Sequence, residues 1–96
     1  MNLLVLESYG MCLNENGDRE GRWSRRLKRI ANRSVNKEGC LESCMQVPEA
    51  LGCEYGTDST GMRYCYAFSF SVSFEVDEYA KFYKPPTFCW AINRSE

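Results

Sequence analysis

The sequence predicts a small α+β domain that is cross-linked by disulfides, and three observations support this fold class. Six cysteines occur among 96 residues, and none of them belongs to the CxxC pair that is typical of a metal site. One segment carries the signals of a helix, whereas several others alternate or end in turns, as strands do. Because so short a chain buries a smaller fraction of its unfolded surface than a larger domain does, we expect three disulfides to supply much of its stability.

The cysteine content also predicts the compartment. Disulfides persist outside the reducing cytosol, so we expect an extracytoplasmic protein that is secreted, exposed at a cell surface or held in an organelle lumen. The apolar run at residues 3–6 is too short for a signal-peptide core or a membrane span. We therefore expect no transmembrane segment, and a single domain over residues 1–96 that begins with this run, any export signal being removed or lying elsewhere.

The N-terminal third predicts a strand, a turn and a basic segment. Residues 3–13 favour a strand, and the Asn16-Gly17 pair favours a tight turn because both residues accept positive φ angles. Residues 21–36 are basic and their structure is less clearly indicated. A short amphipathic helix is possible there, because apolar residues recur at helical spacing at Trp23, Leu27, Ile30 and Ala31.

The clearest helix is predicted over residues 37–47. Ser34 or Asn36 can serve as its N-cap, Glu38 lies in the first turn where the helix dipole favours an acid, and Pro48 ends it. One face of this helix would carry Cys40, Cys44 and Val47.

The C-terminal half predicts strands. Residues 51–55 favour a short strand, a polar turn follows at 56–61, and a last strand is expected at 87–93 after the two prolines. The most regular strand is predicted over 63–76, where aromatic or aliphatic residues alternate strictly with small or polar ones.

Five short motifs resemble those of the PAN/apple module. They are YGMC at residues 9–12, GCLESC at 39–44, GCEY at 52–55, YCY at 64–66 and FCW at 88–90, and the pattern is similar to the PAN-like domains of secreted proteins of algae and other protists. The resemblance covers about residues 9–92. The chain departs from the family in a basic insert at 21–33 and in a long strand with its tail at 63–86.

The resemblance implies an antiparallel sheet that cradles a single helix. It also implies that Cys40 pairs with Cys65, Cys44 with Cys53, and Cys12 with Cys89, whereas the spacing alone leaves the pairing open. PAN-like modules are non-catalytic and bind proteins or carbohydrates, so the resemblance implies a binding role without naming the ligand.

The basic insert is one candidate binding site. Clustered arginines recognise sulfate, phosphate or carboxylate groups, and a tryptophan can stack on a sugar ring. The candidate anion- or glycan-binding residues are Arg22, Trp23, Arg25, Arg26, Lys28 and Arg29. The alternative is a solvated loop whose charges only keep the chain soluble. We expect an acidic polysaccharide or a protein as partner and no nucleic acid. Asn32 and Asn93 each begin an Asn-Arg-Ser sequon, and Asn32 is the candidate glycosylation site if the chain passes through a eukaryotic secretory pathway, whereas the sequence leaves its occupancy open.

The aromatic strand is the other candidate site. If Cys65 points to the helix, the large side chains of the strand lie on the opposite face and need a cover. That cover is either the chain itself, through residues 21–33 or 75–88, or a partner protein, since large exposed apolar patches are rare. A β-bulge that swaps the faces is a further alternative. The candidate partner interface consists of Tyr64, Tyr66, Phe68, Phe70 and Phe74.

Catalysis is not expected. The chain contains no histidine, which removes the usual Ser–His and Cys–His couples and histidine-based zinc sites, and we assign neither cofactor nor metal. The sequence therefore predicts a non-catalytic extracytoplasmic binding module. The alternative is a small structural subunit docked in a large assembly, such as the lumenal side of a photosystem complex or a surface filament.

Overall fold

The structure, a computed structural model, describes residues 3–18, 26–29, 36–57, 61–74 and 87–94. Within those ranges the chain forms one helix and seven strands. The helix is α1 (Lys37–Met45), and the strands are β1 (Leu3–Tyr9), β2 (Cys12–Leu13), β3 (Arg26–Arg29), β4 (Gly52–Thr57), β5 (Arg63–Phe68), β6 (Ser73–Phe74) and β7 (Phe88–Arg94). Together with three disulfides, these elements confirm the predicted α+β fold class.

Five of the strands form one antiparallel sheet in the order β1-β7-β4-β5-β3, and β2 pairs with β6 in a separate small sheet. The central strand β4 pairs with β7 on one side and β5 on the other, so that Cys53 lies between Trp90 and Ala67. The strands nearest the two ends of the chain, β1 and β7, pair along their whole length. Among the described strands, β1 and β3 are therefore the two edges of the sheet.

Helix α1 begins where the sequence predicts and ends just before the predicted Val47. Asn36 is the N-cap, because its side chain accepts a hydrogen bond of 2.7 Å from the amide of Gly39. At the other end, the guanidinium of Arg94 donates at 2.8–3.3 Å to the carbonyl oxygens of Met45, Val47 and Ala50. Since the last carbonyls of a helix lack partners within it, β7 helps to fix where the helix ends.

The helix packs on one face of the sheet and forms the first core. Cys65 and Ala67 of β5 are fully buried in this core, and their small side chains allow α1 to approach the strand closely. Among the described residues, the largest fully buried side chain is Trp90 of β7. The buried members of the first core are Cys40, Cys44, Ala50, Cys53, Cys65, Ala67, Phe88, Trp90 and Ile92.

Three disulfides hold this arrangement, and they are the pairs that the resemblance implies. Two of them tie the helix to the sheet, Cys40 to Cys65 in β5 and Cys44 to Cys53 in β4. The third joins Cys12 in β2 to Cys89 in β7, on the face of the sheet away from the helix, and spans a sequence separation of 77 residues. The covalent links thus fasten both faces of the sheet.

The strand predicted over residues 63–76 is shorter than expected. Strand β5 ends at Phe68, and the chain then crosses the sheet until β6 pairs with β2. The crossing is close, because a Cβ atom at Gly52 would overlap the side chain of Val72. It encloses a second core that contains Cys12, Phe68, Phe70 and Cys89, with Tyr66, Val72 and Phe74 packed against it. The strict alternation continues beyond Phe68 because the large side chains of β5 and those of the segment that follows it contribute to the same core.

Two predictions for the N-terminal part are also corrected. The strand expected over residues 3–13 is interrupted at Gly10, whose φ of 103° few other residues adopt, so that β1 and β2 are separate. The possible helix over 21–36 is wrong at residues 26–29, which form β3 against β5. An isolated short helix is marginal in water, whereas the edge of β5 offers hydrogen-bond partners to an extended chain.

The turn predicted at Asn16-Gly17 is confirmed. Gly17 has a φ of 80°, and the side chain of Asn14 accepts hydrogen bonds from the amides of Asn16 and Asp18 at 2.9 and 3.0 Å. The turn leads away from β2, whose partner in the described part of the chain is β6 rather than a hairpin neighbour.

Candidate functional site

The basic insert supplies one edge of the main sheet. Three of the six predicted anion-binding residues lie in β3, where Arg26 is opposite Phe68, Lys28 opposite Ala67 and Arg29 opposite Tyr66, with a shift of register after Arg26. No described strand lies on the outer side of β3. The remaining candidates fall outside the described residues, namely Arg22, Trp23 and Arg25, together with the sequon residue Asn32. The structure thus places part of the basic insert along the perimeter of the sheet.

The five aromatic residues predicted to meet a partner divide into two groups. Phe68 and Phe70 are buried, at 4% and 7% exposure, with ring centroids 5.1 Å apart. Their cover is intramolecular and includes Cys12 and Val72, which lie in neither of the segments expected to supply it. The other group is half-buried and consists of Tyr64, Tyr66 and Phe74. A partner interface on these three residues stays a prediction.

Tyr64 belongs to a buried polar network that the sequence analysis missed. Glu54 in the central strand is only 4% exposed. One of its carboxylate oxygens accepts from the backbone amide of Cys12 at 2.7 Å, and the other accepts from the Tyr64 hydroxyl at 2.8 Å. Gly56 makes room for this phenol, since a Cβ there would lie 2.7 Å from its oxygen. In the sequence, the burial of Glu54 was indicated only by its position between Cys53 and Tyr55, in a strand whose other residues suit burial.

Burial raises the pKa of the Tyr64 hydroxyl far above its ordinary value, and the Glu54 carboxylate raises it further because a phenolate beside it would be repelled. Tyr64 is therefore a neutral hydrogen-bond donor throughout the physiological range. These hydrogen bonds offset part of the free-energy cost of burying the Glu54 carboxylate. The network fastens β2 to the face of β4, so its evident effect is to position the chain around Cys12.

The opposite edge of the sheet has a different character. Val5 of β1 packs against the first core, and the alternation of the strand turns Leu4 and Leu6 to the other face. These two leucines are 54% and 49% exposed, and Tyr9 at the end of the strand is 45% exposed. The main sheet thus has one aliphatic edge and one basic edge, and the sequence pattern did not indicate the aliphatic one.

A second polar cluster joins the start of the helix to the sheet. Glu7 of β1 accepts a hydrogen bond of 2.8 Å from the indole of Trp90 and lies 3.0 Å from the ammonium group of Lys37. The same ammonium group lies 4.0 Å from the centre of the Phe88 ring. Since Lys37 and Glu7 are both partly exposed, the pair contributes little free energy, but it orients the helix start over β7.

Comparison with known proteins adds no relative: the chain matches no protein-family model, and no curated protein or solved structure is significantly similar to it. In the described part of the chain, α1 is too short to cross a membrane.

Proposed function

We propose that this chain is a non-catalytic, extracytoplasmic binding module of PAN/apple type. Its ligand is an acidic polysaccharide or an acidic protein, and the basic edge of the sheet contacts it. The PAN/apple assignment is supported by a helix that two disulfides tie to neighbouring strands. Three buried disulfides are typical of extracellular or lumenal proteins and support the compartment.

The observation that carries the binding role is the position of the Arg-Leu-Lys-Arg segment as an edge strand. Residues 19–37 hold eight of the twelve basic residues of the chain, whereas nine acids and four bases follow from Glu38 onward. Part of this cationic run lies on the perimeter of a sheet whose strands β4, β5 and β7 each carry a disulfide. A ligand with repeated negative charges can then contact several cations at once.

A polyanion column tests this role. Salt-gradient elution from heparin should show retention of the unmodified chain, and the triple variant Arg25→Glu, Arg26→Glu and Arg29→Glu should elute without retention. Two single variants with the same charge change form a matched control. Arg29→Gln should lower the salt concentration of elution. Lys37→Gln should lower it much less, because Lys37 lies at the C-terminal end of the run and is already paired with Glu7 at the aliphatic edge. If the unmodified chain passes through without retention, the polyanion role is rejected and the basic edge is left as protection against edge-to-edge pairing.

One observation favours a second candidate function, a structural subunit docked in a large assembly such as the lumenal side of a photosystem complex or a surface filament. The aliphatic edge exposes Leu4, Leu6 and Tyr9, which is unusual at an edge strand without a partner. Size-exclusion chromatography of the isolated chain discriminates the two functions. A well-behaved monomer supports the free binding module. The docked subunit is supported if the isolated chain aggregates and the double variant Leu4→Ser with Leu6→Ser aggregates less.

A further inference from the structure

Four cysteine sulfurs gather in the first core. The Sγ atoms of Cys40, Cys44, Cys53 and Cys65 all lie within 4.8 Å of one another, and the four residues are fully buried. Beyond the two bonded pairs, the sulfurs of Cys40 and Cys53 are 3.6 Å apart and those of Cys44 and Cys65 are 3.9 Å apart. The two disulfides therefore lie side by side rather than in separate parts of the core.

These distances suit a tetrahedral metal centre. Four thiolates at about 2.3 Å from a zinc ion would have neighbouring sulfurs about 3.8 Å apart. The two contacts between the bridges already have nearly this length. The other two distances, Cys40–Cys44 and Cys53–Cys65, lie within 4.8 Å. The sulfurs of each bonded pair must separate once the disulfides are reduced, and the metal would then occupy the space between the four sulfurs.

The scaffold also suits four ligands. Cys40 and Cys44 are one helical turn apart in α1, so their side chains project from the same face. Cys53 and Cys65 lie on neighbouring strands, where the register pairs Cys53 with Ala67 and Tyr55 with Cys65. One helix face and two hydrogen-bonded strands thus hold all four residues without any loop.

We propose that the reduced form of the chain binds one zinc ion, or another thiophilic divalent metal that prefers tetrahedral geometry, through Cys40, Cys44, Cys53 and Cys65. Two molecules of a dithiol reductant supply four electrons and four protons, becoming disulfides themselves while the two bridges become four thiols. Metal binding then replaces the four thiol protons with four metal–sulfur bonds and changes no oxidation state. The same residues thereby hold the helix to the sheet in two alternative ways, by disulfides in an oxidising compartment and by a metal before oxidation.

Cobalt is the probe for the test because a tetrahedral cobalt–thiolate centre has intense visible bands. The full chain is reduced with a phosphine, cleared of oxygen and titrated with Co²⁺. We expect saturation at one equivalent with the spectrum of a four-thiolate site, displacement by Zn²⁺, no effect of Mg²⁺, and no binding by the oxidised chain. Saturation above one equivalent, or a spectrum that indicates fewer than four thiolate ligands, would overturn the proposal.

Two variants and one further measurement distinguish a specific metal site from unspecific metal binding by the cysteines of an unfolded chain. Cys65→Ser should weaken Co²⁺ binding by more than about tenfold, since even outer-shell changes at metal sites reach that size. Cys89→Ser removes an equally buried cysteine outside the cluster and should leave the spectrum and stoichiometry unchanged. In the zinc-loaded reduced chain, amide hydrogen exchange should protect β4 and β5. Metal binding without protection of these strands would also overturn the proposal.

Discussion

Removal of the outer disulfide should destabilise the chain more than removal of the smallest inner one, and the topology of the bridges gives the difference. The two perturbations are the double variants Cys12→Ala with Cys89→Ala and Cys44→Ala with Cys53→Ala. All four positions are buried, with exposures of 4% at Cys12 and 0% at the other three. The losses of packed sulfur are therefore similar, and the comparison isolates the effect of each bridge on the unfolded chain.

The magnitude follows from the length of chain that each bridge closes. The separation of 77 residues between Cys12 and Cys89 is shortened by the 25 residues that the Cys40–Cys65 bridge bypasses, which leaves about 52. In the chain-entropy account a loop of that length corresponds to about 4 kcal/mol at room temperature. The Cys44–Cys53 bridge closes a separation of 9 residues, and a loop that short corresponds to about 2.6 kcal/mol. The outer variant should thus lose about 1.5 kcal/mol more, or roughly 6–12 °C in midpoint temperature for a domain of this size.

Urea titrations followed by circular dichroism measure this difference, with the remaining disulfides intact and the temperature kept low so that both variants fold. A larger m-value should accompany loss of the outer bridge, because the unfolded chain then exposes more surface. If the inner variant is destabilised as much as the outer one or more, chain entropy does not set the ranking. Native packing of the sulfur cluster would then be the dominant contribution.

Three further predictions concern single contacts. Tyr64→Phe removes the hydroxyl that donates to the buried Glu54 carboxylate and should lower the free energy of unfolding by roughly 1.5–3 kcal/mol in urea titrations, the range for hydrogen bonds to charged groups. Because the pKa of Tyr64 is raised by folding, its contribution is complete below the ordinary tyrosine pKa of about 10 and is lost at higher pH. The unmodified chain should lose stability as the pH rises above that value, and Tyr64→Phe should lose less. Gly52→Ala places a Cβ atom against the side chain of Val72 and should lower the free energy of unfolding by about 1–3 kcal/mol, the usual range for overpacking. The double variant Gly52→Ala with Val72→Ala should regain part of that loss. Thermal melts of the unmodified chain, the single variant and the double variant measure both effects. Arg94→Leu removes the side-chain donor to the carbonyl oxygens of Met45, Val47 and Ala50 and should lower the free energy of unfolding by about 1–3 kcal/mol. Its signature is faster amide exchange confined to the last turn of the helix.

The local elements were largely predictable because their causes are local. Asn36 caps the helix through its own side chain, and Gly17 provides the positive φ of its turn, so the residue type carries the signal in each case. The cysteine count likewise indicated a disulfide framework, whereas the arrangement of one helix fastened to an antiparallel sheet came from the resemblance. The particular pairing came from the resemblance, since the spacing itself leaves it open.

The sequence by itself determined the class of the chain, the helix with Ser34 and Asn36 as its two candidate caps, and the turn at Gly17. Only the tertiary structure decided that the chain leaves the sheet after Phe68, that residues 26–29 form a strand rather than a helix, and that Glu54 is buried between Cys12 and Tyr64. It also decided that the four inner sulfurs form one cluster. The physical reason is that a side-chain pattern reports which face is buried, whereas the partner on that face comes from residues far away in the chain.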